Sequence, residues 1–295
     1  MPDASSFSDA GAAEKKTSLF RQSVKRLIRN KGAIAGLIIL VIIVLLAVFA
    51  ESLTPYDYAK MDIRNKNSLP SKEHLFGTDD LGRDIFTRVI HGGRYSLQIG
   101  FIGTGLAVVI GAAIGAICGY YGGIVDDLVM RVIDVIQAVP SMLFAVVVAA
   151  ALGTGIYELI LAMAINGIPH YVRIVRGSVL SLRKMEYLDA AVVDNASTFR
   201  IITNHLIPNS LAPLIVQATM GTAHVILTAS SLSFIGMGVP PPAPEWGAML
   251  ASARNQMRDF PHMVTFPGLA IMLTVLSLNL LGDGLRDALD PKLKR

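Results

Sequence analysis

The sequence predicts an all-α polytopic membrane protein with six transmembrane helices, because its composition and its apolar runs both indicate this fold class. The 295 residues are 53% hydrophobic and 16% charged, with a mean hydropathy of +0.54, whereas soluble domains carry about 25% charged residues. Runs long enough to cross the hydrocarbon core of a bilayer, about 30 Å thick, lie at residues 32–50, 96–123, 128–152, 157–182, 211–235 and 264–281.

The first span follows a basic arm, residues 1–31, which we expect to be cytoplasmic and partly disordered. Seven Lys or Arg lie between Lys15 and Lys31, and the following run, residues 32–50, contains no charged residue. A signal peptide also combines basic and apolar segments, but its basic segment is shorter than this arm. We therefore interpret the run as a membrane anchor and residues 32–295 as one transmembrane domain.

The positions of the basic residues predict the orientation. Besides the arm, five Lys or Arg lie between Arg173 and Arg200, and three more end the chain. Basic residues favour the cytoplasmic side, so both termini and the loop at residues 183–209 are expected there. The loops at residues 51–95 and 236–262 are then external. The net charge of +4 reflects these clusters, which lack the interleaved aromatic residues of a nucleic-acid surface.

Small residues recur every four positions along the second span. They are Gly103, Ala107, Gly111, Gly115 and Gly119. This spacing forms a smooth ridge on one face of a helix, which permits the close approach of a second helix. We interpret the ridge as a packing surface.

Polar side chains within the fifth span predict a candidate pathway through the membrane. Gln217, His224, Thr228 and Ser231 share one helical face, and polar groups at this depth are costly unless they have partners or a function. The face is either the wall of a substrate chamber or a source of interhelical hydrogen bonds. The fourth span adds Asn166 and His170, where a kink at Pro169 either opens the same chamber or serves packing.

Charged residues in the first external loop predict a folded cover over the pathway. Four charged residues, Asp79, Asp80, Arg83 and Asp84, lie beside glycines, but the spacing of an EF-hand is absent, so we expect mutual charge pairing. Trp246, in the proline-rich segment 240–247, is assigned to the same external gate because tryptophan suits the membrane interface. That segment either caps the pathway or forms a rigid hairpin.

Near the start of the third span, Asp127, Arg131 and Asp134 lie at i, i+4 and i+7. Residues at these spacings are neighbours on a helix surface. We expect the three side chains to neutralise one another.

The cytoplasmic loop at residues 183–209 predicts a short amphipathic helix with a surface of small residues. Asn195 tolerates a left-handed backbone that would end this helix, a second helix begins near Ser197 or Thr198, and Pro208 is expected to end the second helix. The alternative is a simple linker. The residues assigned to the contact surface are Glu186, Tyr187, Asp189, Ala190, Ala191, Asn195, Ala196 and Pro208.

This loop resembles the coupling loop of ABC-importer permeases, whose pattern is Glu-Ala-Ala, three residues, Gly, and later Ile-x-Leu-Pro. Here Asp189 replaces the Glu and Asn195 replaces the Gly. Further stretches are similar to the C-type permease subunit of dipeptide, oligopeptide and nickel importers. They are residues 75–97, 126–145, 169–177, 232–250 and 266–295.

The resemblance implies a type I ABC importer permease fold with a cytoplasmic coupling helix, in a bacterial inner membrane. It implies four kinds of partner: a second, unlike permease subunit (B-type), two cytoplasmic ATPase subunits, an extracytoplasmic peptide-binding protein, and the lipid bilayer. ATP and Mg would be bound by the ATPase subunits, and no cofactor is expected in this chain. Peptide is the implied cargo, and nickel or another small solute is the alternative.

The motif content agrees with a subunit that is not itself an enzyme. The chain has no Gly-x-x-x-x-Gly-Lys-Ser/Thr phosphate loop and no His-Glu-x-x-His pair. Cys118 is its single cysteine, so this chain alone is not expected to build a disulfide framework or a thiolate metal site. From these missing motifs we expect no catalytic residue and no metal site. A secondary transporter that works without ATP is the alternative from another class, but it predicts internal repeats, and the two halves of the chain lack such similarity.

Overall fold

The computed structural model describes residues 21, 24–186, 188 and 194–289, and the regular elements of this part of the chain are helical. Helix α1 (Lys31–Val48) follows helical residues 24–29 and begins after Asn30, whose side chain accepts a hydrogen bond from the Ala33 amide at 3.1 Å. This N-cap satisfies one of the free amides of the first turn. A short helix, α2 (Ala50–Leu53), follows directly.

Helix α3 (Ile85–Tyr121) contains 37 residues and extends the predicted second span at its N-terminal end. Its length of about 55 Å exceeds the hydrocarbon core, so part of this helix extends beyond it. Asp84 is the N-cap, and its carboxylate accepts a hydrogen bond from the Thr87 amide at 2.7 Å.

The predicted ridge on α3 is confirmed as a packing surface, and its partner is α6 (Ile156–Leu182). A Cβ atom added to Gly111 would lie 2.6 Å from the Cβ of Tyr171, and one added to Gly119 would lie 2.8 Å from the Cβ of Val179. Residue numbers increase in the same direction along both helices. Because α3 and α6 run parallel, the chain between them must return to the other end of α3.

That return is made by a broken pair of helices, α4 (Gly123–Ala138) and α5 (Ser141–Leu152). Their axes differ by 95° across the break at Val139 and Pro140. Proline has no amide hydrogen and disfavours helical geometry in the residue before it, which accounts for the position of the break. The predicted third span is therefore bent and not straight.

The count of six spans is not confirmed by length and apolar composition alone. Among the described helices, four are candidate spans, and α4 with α5 is a fifth if the bent pair counts as one. Helix α6 has the predicted bounds and 27 residues, but it is not among these candidates. Its polar residues, which include His170 and Arg173, explain the lower apolar character.

The fifth span begins earlier than predicted, and the expected end of a helix at Pro208 is wrong. Residues Thr198–Phe234 form one continuous helix, made of α7 (Thr198–Ile201), a π-helical turn (Ile202–Leu206) and α8 (Ile207–Phe234). A π turn widens the helix locally, and here it lies directly before the proline.

Side chains complete the hydrogen bonding of this irregular segment. The amide of Asn209 donates to the carbonyl of His205 at 2.6 Å, and the Ser210 hydroxyl donates to the carbonyl of Leu206 at 2.9 Å. These contacts supply donors where the regular backbone pattern is interrupted. The helix therefore continues through Pro208 without a break.

The C-terminal part consists of α9 (Trp246–Ala253) and α10 (His262–Leu289). Helix α10 packs on α1, where Gly36 allows the backbones to approach closely. A Cβ atom added to Gly36 would lie 2.6 Å from the carbonyl oxygen of Ser277. Helices α1, α3, α8 and α10 share a buried apolar cluster that includes Leu40, Leu97 and Leu278.

Candidate functional site

A cavity of about 600 Å³ lies where the α4–α5 break faces α6 and α8. It gathers five of the six residues that the sequence assigned to a pathway through the membrane. These five are Asn166, His170, Gln217, His224 and Thr228. The predicted chamber face on α8 and the polar stretch of α6 thus meet on one wall.

On α8, a glycine leaves space for a tyrosine side chain of α6 beside the cavity. Gly221 lies one turn after Gln217, and a Cβ atom there would be 2.1 Å from the hydroxyl oxygen of Tyr171. That hydroxyl donates to the carbonyl of Gln217 at 3.5 Å. Tyr171 therefore ties α6 to α8 beside the cavity. The side chains of His170 and His224 are exposed.

Ser231, the sixth predicted residue, is not among the residues that line the cavity. Its hydroxyl donates to the carbonyl of Leu227 at 2.9 Å within the same helix. The wall instead includes Gln137 and Ser141 from the break, together with Tyr171. The sequence reasoning missed these three, although Pro140 between the first two was a signal for a break that would turn nearby side chains towards a space.

The predicted charge pairing of the first long loop is confirmed for Arg83, whereas Asp84 pairs with His74 instead. The buried side chain of Arg83 donates to Asp79 at 2.7 Å and lies 4.0 Å from Asp80. Arg88, which the sequence reasoning missed, approaches the same Asp79 carboxylate at 3.5 Å and donates to the carbonyl of Tyr58 at 2.8 Å. A buried ion is stable only where its partners replace water, and these contacts hold the loop on the start of α3.

Asp84 has two roles in the same loop. It caps α3, and its other carboxylate oxygen lies 2.9 Å from Nδ1 of His74. The loop at residues 54–84 is thereby anchored at its C-terminal end.

The expectation of an interfacial Trp246 is wrong. Its side chain is 2% exposed and donates from Nε1 to the carbonyl of Val89 at 2.8 Å. It packs with Ile85, Met249 and Met263, so it joins α3, α9 and α10 and does not face lipid. A buried indole with a hydrogen-bond partner is stable away from the interface.

Glu245, immediately before α9, is also buried. Its carboxylate accepts hydrogen bonds from the amides of Gly247 at 3.0 Å and Ala248 at 2.8 Å, and from the hydroxyl of Ser96 at 3.2 Å. Burial raises the pKa of Glu245 above its usual value, although these hydrogen bonds oppose the shift. The carboxylate joins the external loop to α3.

On the predicted cytoplasmic side, the acidic residues of α4 pair with α6. Asp126 accepts from Arg176, and Asp134 accepts from Arg173 at 2.5 Å. The expected neutralisation of Asp134 by Arg131 within α4 is therefore wrong. The interhelical partners lie closer to the carboxylates than the residues one turn away on the same helix.

The structure describes only part of the predicted coupling surface. Tyr187, Asp189, Ala190 and Ala191 lie outside the described residues. Asn195 has φ = 57°, which confirms the predicted left-handed turn. Ser197 caps α7, since its hydroxyl accepts from the amide of Arg200 at 3.4 Å, as the sequence predicted.

The remaining members of that surface differ in accessibility. Glu186 and Pro208 are exposed, and Ala196 is half-buried. Across the described residues, His, Cys, Asp and Glu side chains form no group of three that could hold a metal ion.

Comparison with known proteins identifies the family. Residues 111–295 match the model of the binding-protein-dependent transport system inner membrane component, and residues 18–70 match that of the N-terminal transmembrane domain of oligopeptide transport permease C. Together the two matches cover all of α1 and α2, and the chain from the last third of α3 to residue 295.

Similar proteins extend over nearly the whole chain. A dipeptide transport system permease protein of Alkalihalophilus pseudofirmus is 48% identical, over 94% of this chain and 91% of that protein. An oligopeptide transport system permease protein of Bacillus subtilis is 41% identical, over 100% and 97%. A glutathione transport system permease protein of Pectobacterium atrosepticum is 43% identical, over 93% and 92%.

A solved structure shares the fold. A chain of the MetNI methionine ABC transporter, in an inward-facing conformation, matches with a TM-score of 0.55 and 18% sequence identity, covering 69% of this chain and 96% of that chain. The all-helical architecture is thus that of an ABC importer permease in the inner membrane. The chain therefore belongs to the family of binding-protein-dependent transport system inner membrane components, and within it to the C-type permease subunits of the dipeptide and oligopeptide branch.

Proposed function

We propose that this chain forms part of the path by which an ATP-driven importer carries dipeptides and oligopeptides across the cytoplasmic membrane. The observation that carries the proposal is the cavity at the α4–α5 break, which gathers amide, imidazole and hydroxyl side chains. Such groups exchange hydrogen bonds with a peptide backbone as readily as with water. The relatives named as dipeptide, oligopeptide and glutathione permeases support peptide as the cargo.

The complete importer contains a second, unlike permease subunit, two cytoplasmic ATPase subunits and an extracytoplasmic binding protein. Both termini of this chain and the loop at residues 183–209 are cytoplasmic. The basic clusters support this orientation through the positive-inside rule. The parallel packing of α3 and α6 bears only on relative placement: the ends of the two helices lie on the same side of the membrane, so the loop at residues 183–209 lies on the side where α3 ends.

Movement reaches the cavity through one helix. Residues Thr198–Phe234 run without a break from the coupling loop to the wall formed by Gln217 and His224. At 1.5 Å per residue, Gln217 lies about 28 Å along the helix from Thr198. Closure of the ATPase subunits on ATP displaces the coupling loop, and a continuous helix passes that displacement to the wall as a rigid body.

Reconstitution of the complete importer tests the cargo. Proteoliposomes that contain both permease subunits, the ATPase subunits and the binding protein are expected to take up a labelled dipeptide when ATP is supplied on the side of the ATPase subunits. A control with an ATPase subunit that binds but does not hydrolyse ATP should show no uptake. Uptake of labelled Ni²⁺ without uptake of peptide would overturn the proposal in favour of a metal permease.

Accessibility of single cysteines tests the orientation, in a background with Cys118 replaced by Ala. A membrane-impermeant maleimide added outside is expected to label cysteines at the exposed positions Lys66 and Asn255, and to miss those at the exposed positions Lys25 and Lys184. Labelling in the reverse order would contradict the assigned topology.

A further inference from the structure

A second cavity, of about 690 Å³, is lined by none of the six residues that the sequence assigned to the pathway. It is bounded by the end of α2, the start of the external loop, the first turns of α3 and the first turn of α6. We refer to it as the outer cavity. We propose that the outer cavity is a specificity site that favours cargo of net positive charge over neutral and acidic cargo.

The position of the outer cavity places it before the first cavity on the way in. Ile160 of α6 lines the outer cavity, whereas Met163, one turn further along the same helix, lines the first. From Tyr157 at the outer cavity to Asn166 at the first is about 14 Å along α6. This proposal rests on the proposed import function, because it assigns a role to the outer cavity in the same passage.

Aromatic rings form much of the outer cavity wall. They belong to Tyr56, Tyr58, Tyr95 and Tyr157. The ring centroids of Tyr58 and His91 lie 5.1 Å apart, so this part of the wall is held in place by packing. The faces of tyrosine rings attract ammonium and guanidinium groups. A wall of this kind therefore prefers a cation.

The two basic side chains in the wall, His91 and Arg94, already have partners in the protein. Nε2 of His91 lies 3.2 Å from the hydroxyl of Thr54. Arg94 donates from Nε to the carbonyl of Ala47 at 2.6 Å, from Nη2 to the carbonyl of Val48 at 2.8 Å, and from Nη1 to Glu51 at 2.8 Å. Its hydrogen bond also lowers the pKa of Glu51. Arg94 thus joins α1 to α3, and its positive charge is paired with the negative charge of Glu51.

The remaining carboxylate in the wall is that of Asp57. Among the described residues it forms no ion pair within 4.0 Å, and one of its oxygens accepts from the amide of Ala59 at 2.7 Å. The second oxygen and the negative charge are available to a ligand. A neutral dipeptide carries one ammonium and one carboxylate, so Asp57 attracts one group and repels the other. A dipeptide with a net positive charge is therefore attracted more strongly than a neutral or an acidic one.

The test compares three labelled dipeptides, Ala-Lys, Ala-Ala and Ala-Glu, in proteoliposomes that contain the complete importer and its binding protein. The Asp57→Asn variant keeps the acceptor for the Ala59 amide but removes the charge. It is expected to lower the ratio of Ala-Lys uptake to Ala-Ala uptake by about 3-fold to 10-fold, and to raise the ratio of Ala-Glu to Ala-Ala. Tyr157→Ala, at a ring that is 75% exposed, should lower the first ratio as well.

Glu73→Gln is the matched control, since Glu73 is an exposed carboxylate in the same loop that does not line the outer cavity. It should leave both ratios unchanged. Unchanged ratios in Asp57→Asn would overturn the inference. An equal loss for all three dipeptides, together with weaker binding of the binding protein to the importer, would also overturn it and assign Asp57 to docking. If the unmodified importer takes up none of the three, the proposed function itself has failed.

Discussion

Arg176 on α6 donates from Nε and from Nη2 to the two carboxylate oxygens of Asp126 on α4, each at 2.5 Å. This bidentate pair fixes the start of the broken helix pair against the helix that carries Asn166 and His170. Hydrogen bonds between two ions are shorter and stronger than neutral ones, and the paired geometry also sets the relative orientation of the groups. The pair therefore fixes α4 relative to α6, and other residues of both helices line the cavity.

Loss of this pair should loosen the broken span. The Asp126→Asn variant is expected to lower stability by about 1 to 3 kcal/mol. The Asp126 side chain is only 9% exposed, and an asparagine side chain has one acceptor oxygen where Arg176 donates to two. The measurement is the apparent melting temperature of the detergent-solubilised importer. Asp127→Asn, at the exposed neighbouring position, is the control and should have little effect. Equal effects of the two variants would contradict the role of the pair.

The packing of α3 on α6 should tolerate no side chain at Gly115. In a Gly115→Ala variant, Cβ would lie 2.5 Å from the carbonyl oxygen of Val172 and 3.1 Å from the amide of Arg176. These are backbone atoms, so the helices must separate, at an expected cost of about 1 to 3 kcal/mol. The yield of assembled importer and its melting temperature would report this loss.

Gly105 provides a matched comparison on the same helix. A Cβ atom there meets no atom within 4 Å, and alanine favours a helix over glycine by about 1 kcal/mol. Gly105→Ala should therefore leave assembly unchanged or improve it. If Gly115→Ala behaves in the same way, the ridge is not a tight interface.

The left-handed backbone at Asn195 predicts which residues the coupling loop accepts. Glycine adopts φ = 57° freely, so Asn195→Gly should preserve the stimulation of ATP hydrolysis by cargo-loaded binding protein. Valine resists this conformation by roughly 1 to 2 kcal/mol, so Asn195→Val should weaken that stimulation. Both variants should insert into the membrane normally. A fully coupled Asn195→Val importer would show that the turn is not needed for coupling.

The polar wall on α8 should affect transport and not assembly. Replacing both Gln217 and His224 with Leu removes hydrogen-bonding groups from the cavity and is expected to change the rate or selectivity of dipeptide uptake per assembled importer. Ser231→Ala is the control, because its hydroxyl bonds within its own helix. Reduced assembly with unchanged uptake per importer would instead assign Gln217 and His224 to interhelical hydrogen bonding.

Glu245 should make stability depend on pH. Its folded-state pKa lies above the usual value of 4.5, so the folded protein holds this proton more tightly than the unfolded chain. Its stabilising contribution is then complete below pH 4.5 and is lost as the pH rises through the raised pKa. The measurement is the melting temperature of the unmodified importer and of the Glu245→Gln variant at a series of pH values from 4.5 upwards. The difference, unmodified minus variant, should fall as the pH rises. The same difference taken with Glu73→Gln should stay constant.

Features that depend on neighbouring residues in the chain could be predicted from the sequence. Apolar runs determined where most of the long helices lie, since the hydrocarbon core demands a minimum length of apolar helix. Four-residue spacing determined the ridge at Gly111 and Gly115, and helical periodicity brought Gln217, His224 and Thr228 onto one face. The local preference of Asn for a left-handed backbone determined the turn at residue 195.

Only the tertiary structure decided how these elements meet. The pairing of Asp134 with Arg173 joins residues 39 positions apart, whereas helical periodicity alone pointed to Arg131, three positions before Asp134 on the same helix. The burial of Trp246 and the outer cavity around Asp57 likewise depend on segments that are distant in the chain. Helix periodicity defines which residues share a face, but the rotation of each helix against its neighbours is set by packing and by the partners available to buried polar groups.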